Sequence, residues 1–146
     1  MLKLYFVCKG NYYRSRLAEE LALYYAAQQG IAVQVDSGGL SKIPNLANVG
    51  PIAHETLLYL QQKNIQPQGA TRMPKKCDWL AIQNTDIVVL TDADEQLERF
   101  KQAFPEYTGQ LIGWQARDKQ YDPWLNTLEL IDLKSQELIK QLADRL

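Results

Sequence analysis

Cys8-Lys9-Gly10-Asn11-Tyr12-Tyr13-Arg14-Ser15 is the stretch from which the rest of this chain is read. It places a cysteine, five residues, an arginine and a hydroxyl residue directly after the apolar run Leu2 to Val7. Behind it, Leu17-Ala18-Glu19-Glu20-Leu21-Ala22-Leu23 has helical composition. The stretch therefore joins a strand end to a helix start. Backbone N–H groups at such a junction lack intrahelical partners, and the helix dipole favours negative charge there. A cysteine so placed has its thiolate stabilised, and an arginine in the same loop grips an oxyanion with two N–H groups. The plainer reading is a cysteine serving as a small buried hydrophobe. Gly10 and Asn11 favour the loop reading, glycine by its backbone freedom and asparagine by its tolerance of left-handed angles.

Outward from that loop, strands and helices alternate. The first strand is Leu2–Val7, and the first helix spans about Arg14–Gln29, with Gly30 as its C-terminal cap. Val33-Gln34-Val35 is a second strand, followed by a polar loop over 38–50. Pro51 is expected as the first residue of a helix carrying Ile52, Leu57, Leu58 and Leu60. A short helix is expected over Pro74–Ala81, a buried strand over Ile87–Leu90 and a helix over Asp94–Ala103. A fourth strand at Leu111-Ile112 precedes a long connection and an amphipathic helix from Leu125 to Leu146. This order predicts an α/β fold, a parallel sheet with helices on both faces, in one domain over residues 1–146. Ligands of such folds bind beyond the carboxyl ends of the strands, where Cys8, Ser37, Asp92 and the 113–124 connection gather. Neither G-x-G-x-x-G nor a Walker-type Lys-Ser/Thr is present, against a dinucleotide or nucleoside triphosphate fold.

Composition narrows the partners. A net charge of −1 over 146 residues makes no electrostatic case for nucleic acid or a membrane surface. No signal peptide or membrane-spanning apolar run is expected. Two cysteines, Cys8 and Cys77, do not form a disulfide framework, and a reducing cytoplasm suits a reactive thiol. One histidine and no clustered ligand spacing argue against zinc or another metal, and no cofactor is expected.

A thiolate attacking a phosphate ester needs an acid at the leaving oxygen and then a base for the water that clears the intermediate. Asp122, in Tyr121-Asp122-Pro123-Trp124, is the candidate. Pro123 disfavours helical angles at Asp122, and Trp124 is placed to wall a site. The same residues also fit a helix start, Asp at the cap and Pro first in the helix.

Taken together, Val7 to Ser15 with Ala18-Glu19, Asp36-Ser37-Gly38-Gly39, Asn48-Val49-Gly50-Pro51 and Asp122-Pro123-Trp124 resembles the low-molecular-weight protein tyrosine phosphatases over nearly the whole chain. The resemblance implies a three-layer α/β/α fold with a four-stranded parallel sheet in the order 2-1-3-4. It implies that Cys8 becomes phosphorylated, Arg14 binds phosphate, Ser15 hydrogen-bonds the thiolate, Asn11 holds the loop and Asp122 is acid then base. Lys9, Gly10, Asn11, Tyr12, Tyr13, Ser15 and Trp124 would complete the phosphate and substrate site. The implied partner is a phosphorylated protein or a small phosphomonoester.

The chain departs from the family pattern at the rim. Arg16 follows Ser15 where proline is usual, and Tyr13 stands where many members carry a second cysteine. Lys9 and Tyr12 replace small or aliphatic residues, Ile43 is the nearest match to an aromatic wall, and 44–47 look inserted. Lys9 and Arg16 either lean over the cleft, favouring acidic substrates, or are solvated surface charges. Tyr12 either stacks on a substrate or plugs the pocket. His54 is expected to be structural and Cys77, at a helix start, inert. Asp92 is expected to cap the 94–103 helix rather than bind the loop. Two other functions fit parts of the pattern. One is a non-catalytic anion-sensing module. The other is a thiol-dependent arsenate reductase, which would need resolving cysteines that Ile87–Thr91 lacks.

Overall fold

The computed structural model describes residues 1–43, 45–118 and 124–145. Its elements are β1 (Leu2–Cys8), α1 (Arg14–Gln29), β2 (Val33–Gly39), α2 (His54–Gln62), α3 (Trp79–Ile82), β3 (Ile87–Leu90), α4 (Ala93–Ala103), β4 (Gln110–Gly113) and α5 (Trp124–Arg145). The four strands form a parallel sheet in the order β2-β1-β3-β4, as the resemblance implies. β1 is central and buried on both faces from Leu4 to Cys8. Alternate side chains serve opposite layers, as the two-residue repeat of a strand requires. Leu4 and Phe6 join Leu17, Leu21, Leu128, Ile131 and Ile139 under α1 and α5. Tyr5 and Val7 join Ile82, Val88, Leu90 and Phe100 under α3 and α4.

Sheet register places the chemistry. Val7 pairs with Gly38 and Leu90, and Cys8 pairs with Gly39, so the carboxyl ends of β1, β2 and β3 share one edge. Glycine is required at residue 39 by close approach. A Cβ there would lie 2.7 Å from the Lys9 carbonyl oxygen and 3.0 Å from the Asn11 nitrogen.

Several boundaries differ from expectation. β2 continues to Gly39 because its last residues pair fully with β1. α2 starts at His54, since Ala53 is extended at ψ 137° and its N–H is taken by the Tyr12 carbonyl. The helix expected at 74–81 is reduced to α3, because Lys75 to Cys77 run beside β2 through bonds with Gly39. The Asp78 carboxylate then caps α3 at the Ala81 N–H, 2.8 Å away. Cys77 is thus in extended chain rather than at a helix start. No helix among the described residues is long and apolar enough to cross a membrane.

Candidate active site

The loop between β1 and α1 wraps the sulfur of Cys8. Asn11 N–H points at Sγ from 3.2 Å, and the Ser15 hydroxyl lies 3.0 Å from it. α1 starts immediately beyond, with Tyr13 in the capping position and no side chain bonded to the helix's first N–H groups. Donors and helix dipole therefore converge where negative charge on sulfur or on a bound anion would sit.

Asn11 holds this geometry. It adopts φ 50°, the left-handed conformation asparagine tolerates better than most residues. Its amide N–H₂ donates to Ser15 Oγ at 2.8 Å and Ser37 Oγ at 2.9 Å. Its carbonyl accepts from Lys75 N at 3.0 Å and Arg72 Nη1 at 3.2 Å. All four hydrogen-bonding positions of the side chain are used. Gly10, by contrast, has ordinary φ, and a Cβ there would make only a 3.6 Å contact with Asn48. The unusual backbone angle belongs to Asn11, not to Gly10.

Around Asn11 lies a network that loop spacing did not reveal. Arg72 Nη2 donates to Glu19 Oε1 and to Ser37 Oγ, both at 2.8 Å, and Ser37 also donates to Glu19. Residues 72 and 75 thus reach the loop from over sixty positions away. Glu19 was visible only as part of a family-like dipeptide, without a role.

Arg14 is 2% exposed and still donates in several directions. Nη1 bonds to the Ala116 carbonyl and Nη2 to Glu95 Oε1, each at 3.0 Å. Asp92 and Asp118 lie 3.8 and 3.9 Å away. Burial works against its charge, but Cys8, Glu95 and Asp118 more than offset this and raise its pKa. Its buried Nε–H has no partner among the described residues. Nε and Nη2 form the side-on fork of a guanidinium, so this buried donor marks a place for an anion.

Arg14 shares a cleft of about 190 Å³ with Cys8, Lys9, Gly10, Tyr12 and Tyr13. Ser41, Asn45, Asn48, Ala53, Glu55 and Asp118 complete its walls. Asn11 and Ser15 are fully buried behind it, their side chains tied into the loop and not part of the cleft walls. The Tyr12 hydroxyl donates to the Val49 carbonyl, tying the loop to the opposite wall.

Two expectations are corrected, for Arg16 and Asp92, while Cys77 fits the inert reading. Arg16 does not overhang the cleft. It is 2% exposed and donates to the carbonyls of Pro51 and Gly69, both at 2.8 Å, anchoring two loops from below. Asp92 precedes α4 but makes no side-chain cap bond; its carboxylate turns to Arg14 instead. Its pKa is raised, chiefly by burial. Cys77 is buried in the α3–α4 layer, where burial pushes its thiol up to about 12. Asp122 lies outside the described residues. Trp124 is the first residue of α5.

Residues 3–144 match the family model described as low molecular weight phosphotyrosine protein phosphatase. The chain belongs to that family. Among solved structures, a low molecular weight phosphotyrosine phosphatase from Vibrio cholerae O395 shares its fold at TM-score 0.85 and 19% identity, over 99% of both chains. YfkJ from Bacillus subtilis does so at TM-score 0.84 and 20% identity, over 99% of this chain and 96% of that one. A thioredoxin-dependent arsenate reductase from Corynebacterium glutamicum superposes at TM-score 0.74 and 21% identity, over all of this chain and 64% of that one. No curated protein sequence matches this one significantly. Among the described residues, no three His, Cys, Asp or Glu side chains group as metal ligands.

Proposed function

We propose that this phosphatase-family chain is a metal-free phosphomonoester hydrolase, protein-tyrosine-phosphatase-like, that works through a phosphocysteine on Cys8. The observation that carries this reading is the unpartnered, buried Nε–H of Arg14 in the same cleft as Cys8 Sγ. The thiolate attacks phosphorus, an S–P bond forms, and the P–O bond to the leaving group breaks. The equatorial phosphoryl oxygens are held by the Arg14 fork and loop N–H groups. Asp122 gives its proton to the departing oxygen, then takes one from the water whose attack breaks the S–P bond. That role for Asp122 rests on the sequence resemblance. Asp118, which lines the cleft, is the second candidate. Ser15, hydrogen-bonded to Sγ, stabilises the thiolate released at the end.

The substrate is a phosphorylated protein or a small phosphomonoester. One domain over 1–146 and a cytoplasmic setting, where the thiol stays reduced, belong with this reading. The test is hydrolysis of p-nitrophenyl phosphate in the presence of EDTA, with acid-quenched mass analysis of Cys8. Turnover by the wild type, none by Cys8→Ser, and a phosphoryl adduct on Cys8 are expected. Phosphate binding without turnover would instead establish an anion-sensing module. Arsenate reduction with a thiol donor would establish the reductase, whose fold this chain shares.

A further inference from the structure

The walls of the cleft carry a charge that a bare phosphate would not select. Glu55, in the first turn of α2, lines the same cavity as Cys8, Arg14 and Lys9. Its position is fixed from both sides. The Ala53 N–H bonds to the Tyr12 carbonyl at 2.9 Å, and the Thr56 hydroxyl bonds to the Tyr13 carbonyl at 3.2 Å. The start of α2 is thereby stitched to the anion loop, with Glu55 between the stitches. Glu55 makes no hydrogen bond or ion pair to any other described residue. Other acidic residues near the loop are committed: Glu19 to Arg72 and Ser37, Glu95 to Arg14. A carboxylate on the wall of an anion cleft repels a phosphate dianion. A favourable interaction with the helix dipole accounts for an acidic residue in the first turn, but not for its place on the cleft wall. An acid in that wall makes sense if the ligand brings a positive charge of its own.

Resting on the phosphomonoesterase reading above, we propose that Glu55 is a specificity-determining residue that selects substrates carrying a cation beside the phosphoryl group. The cation is an ammonium or guanidinium, supplied by a basic residue flanking a phosphorylated side chain or by a small amino-bearing phosphomonoester. Arg14 and the loop hold the phosphoryl group, and Glu55 holds the cation from the α2 wall. The charge order reverses the acidic-substrate preference that Lys9 and Arg16 suggest in sequence, since Arg16 is withdrawn beneath the loop.

The experiment compares kcat/KM of wild type, Glu55→Gln and Glu55→Lys on four substrates. These are p-nitrophenyl phosphate, one phosphotyrosyl peptide with arginine neighbours, the same peptide with glutamate neighbours, and phosphoethanolamine. Wild type should favour the basic over the acidic peptide about tenfold. Glu55→Gln should lower kcat/KM on the cationic substrate several-fold while raising it on p-nitrophenyl phosphate through a lower KM. Glu55→Lys should invert the peptide preference. The cationic substrate that responds, peptide or phosphoethanolamine, identifies the source of the charge. Parallel losses on all substrates, or no change on any, overturn the assignment. Equilibrium binding of both peptides to Cys8→Ser and Cys8→Ser/Glu55→Gln gives the same comparison without turnover. If wild type hydrolyses nothing, the hydrolase reading falls, while the binding ratio still decides the role of Glu55.

Discussion

Cys8 and Cys77 are almost equally buried, at 2% and 3% exposure, and both lie by the carboxyl edge of the sheet. Their surroundings are opposite. Cys8 ends β1, opens onto the cleft, and has the Asn11 N–H and Ser15 hydroxyl directed at its sulfur. Cys77 lies in the layer of Tyr5, Val7, Ile82, Val88 and Phe100, where burial, only partly offset by the Tyr5 hydroxyl, raises its pKa to about 12. Burial alone therefore does not decide what a thiol does. The donors that come with it do. The comparison predicts that Cys8→Ser abolishes turnover and Cys77→Ala leaves it nearly unchanged. It further predicts that iodoacetate labels Cys8 first, with phosphate or vanadate slowing the reaction. Peptide mapping that finds Cys77 labelled first would break the contrast.

The next largest effect falls on the anion side of Cys8. Arg14→Lys keeps a positive charge but loses the planar fork, and lysine has no Nε/Nη2 pair to hold two oxygens. A loss of about 100-fold or more in kcat/KM is expected, from removal of transition-state hydrogen bonds. A loss under about tenfold, roughly 1.4 kcal/mol, would show that Arg14 is not the clamp. Glu95 and Asp92 hold that guanidinium from behind, so Glu95→Gln should give a smaller loss in the same direction.

Arg72 sharpens the contrast from another quarter. It touches neither the cleft nor Cys8, yet it donates to Asn11, Ser37 and Glu19. It is a positioning residue. Arg72→Ala leaves the Asn11 carbonyl with one partner and Glu19 without its cation. Removing one partner of a part-buried charged pair costs about 1–3 kcal/mol. A drop of about tenfold or more in kcat is expected, with the pH profile displaced and partial rescue by Arg72→Lys. A purely structural role would lower thermal stability and leave kcat and the profile where they were.

Much of this was legible in the sequence. Alternation of apolar runs with helical periodicity gave the parallel sheet, and the resemblance gave its strand order. That Cys8, Asn11, Arg14 and Ser15 meet in one loop could be read because their spacing is local. Arg72, Glu95 and Glu55 could not, because each reaches the loop from a distant element and no short-range pattern records that approach. Arg16 was misjudged for a related reason. It follows Ser15 in sequence, but the helical turn carries it under the loop, to the Pro51 and Gly69 carbonyls. Asp92 occupies a capping position in sequence, while in three dimensions the nearby guanidinium of Arg14 draws its carboxylate.

The smallest effect tests Cys77 through pH. Its thiol is raised from 9.0 to about 12, chiefly by burial. Below pH 9 the folded and unfolded chains both carry the thiol proton. As pH rises above 9 the unfolded chain releases it and the folded chain keeps it, so stability is lost progressively until the folded thiol also ionises near 12. The slope approaches roughly 1.4 kcal/mol per pH unit within that window. Tyr5, Tyr13, Tyr25, Tyr59 and Tyr107, all raised chiefly by burial, add losses of the same sign as the pH nears the ordinary tyrosine value of 10. Between pH 9 and 10 Cys77 contributes about 1 kcal/mol of the fall by the same linkage, and comparison with Cys77→Ala separates it from the tyrosines. Cys77→Ala should be less stable than wild type at pH 7, because it empties part of a packed layer. Across pH 9 to 10, however, its urea midpoint should decline less steeply, and the difference between the two proteins cancels any contribution from Cys8. Equal slopes would mean that Cys77 ionises as easily folded as unfolded, and the contrast between the two cysteines would then rest on position alone.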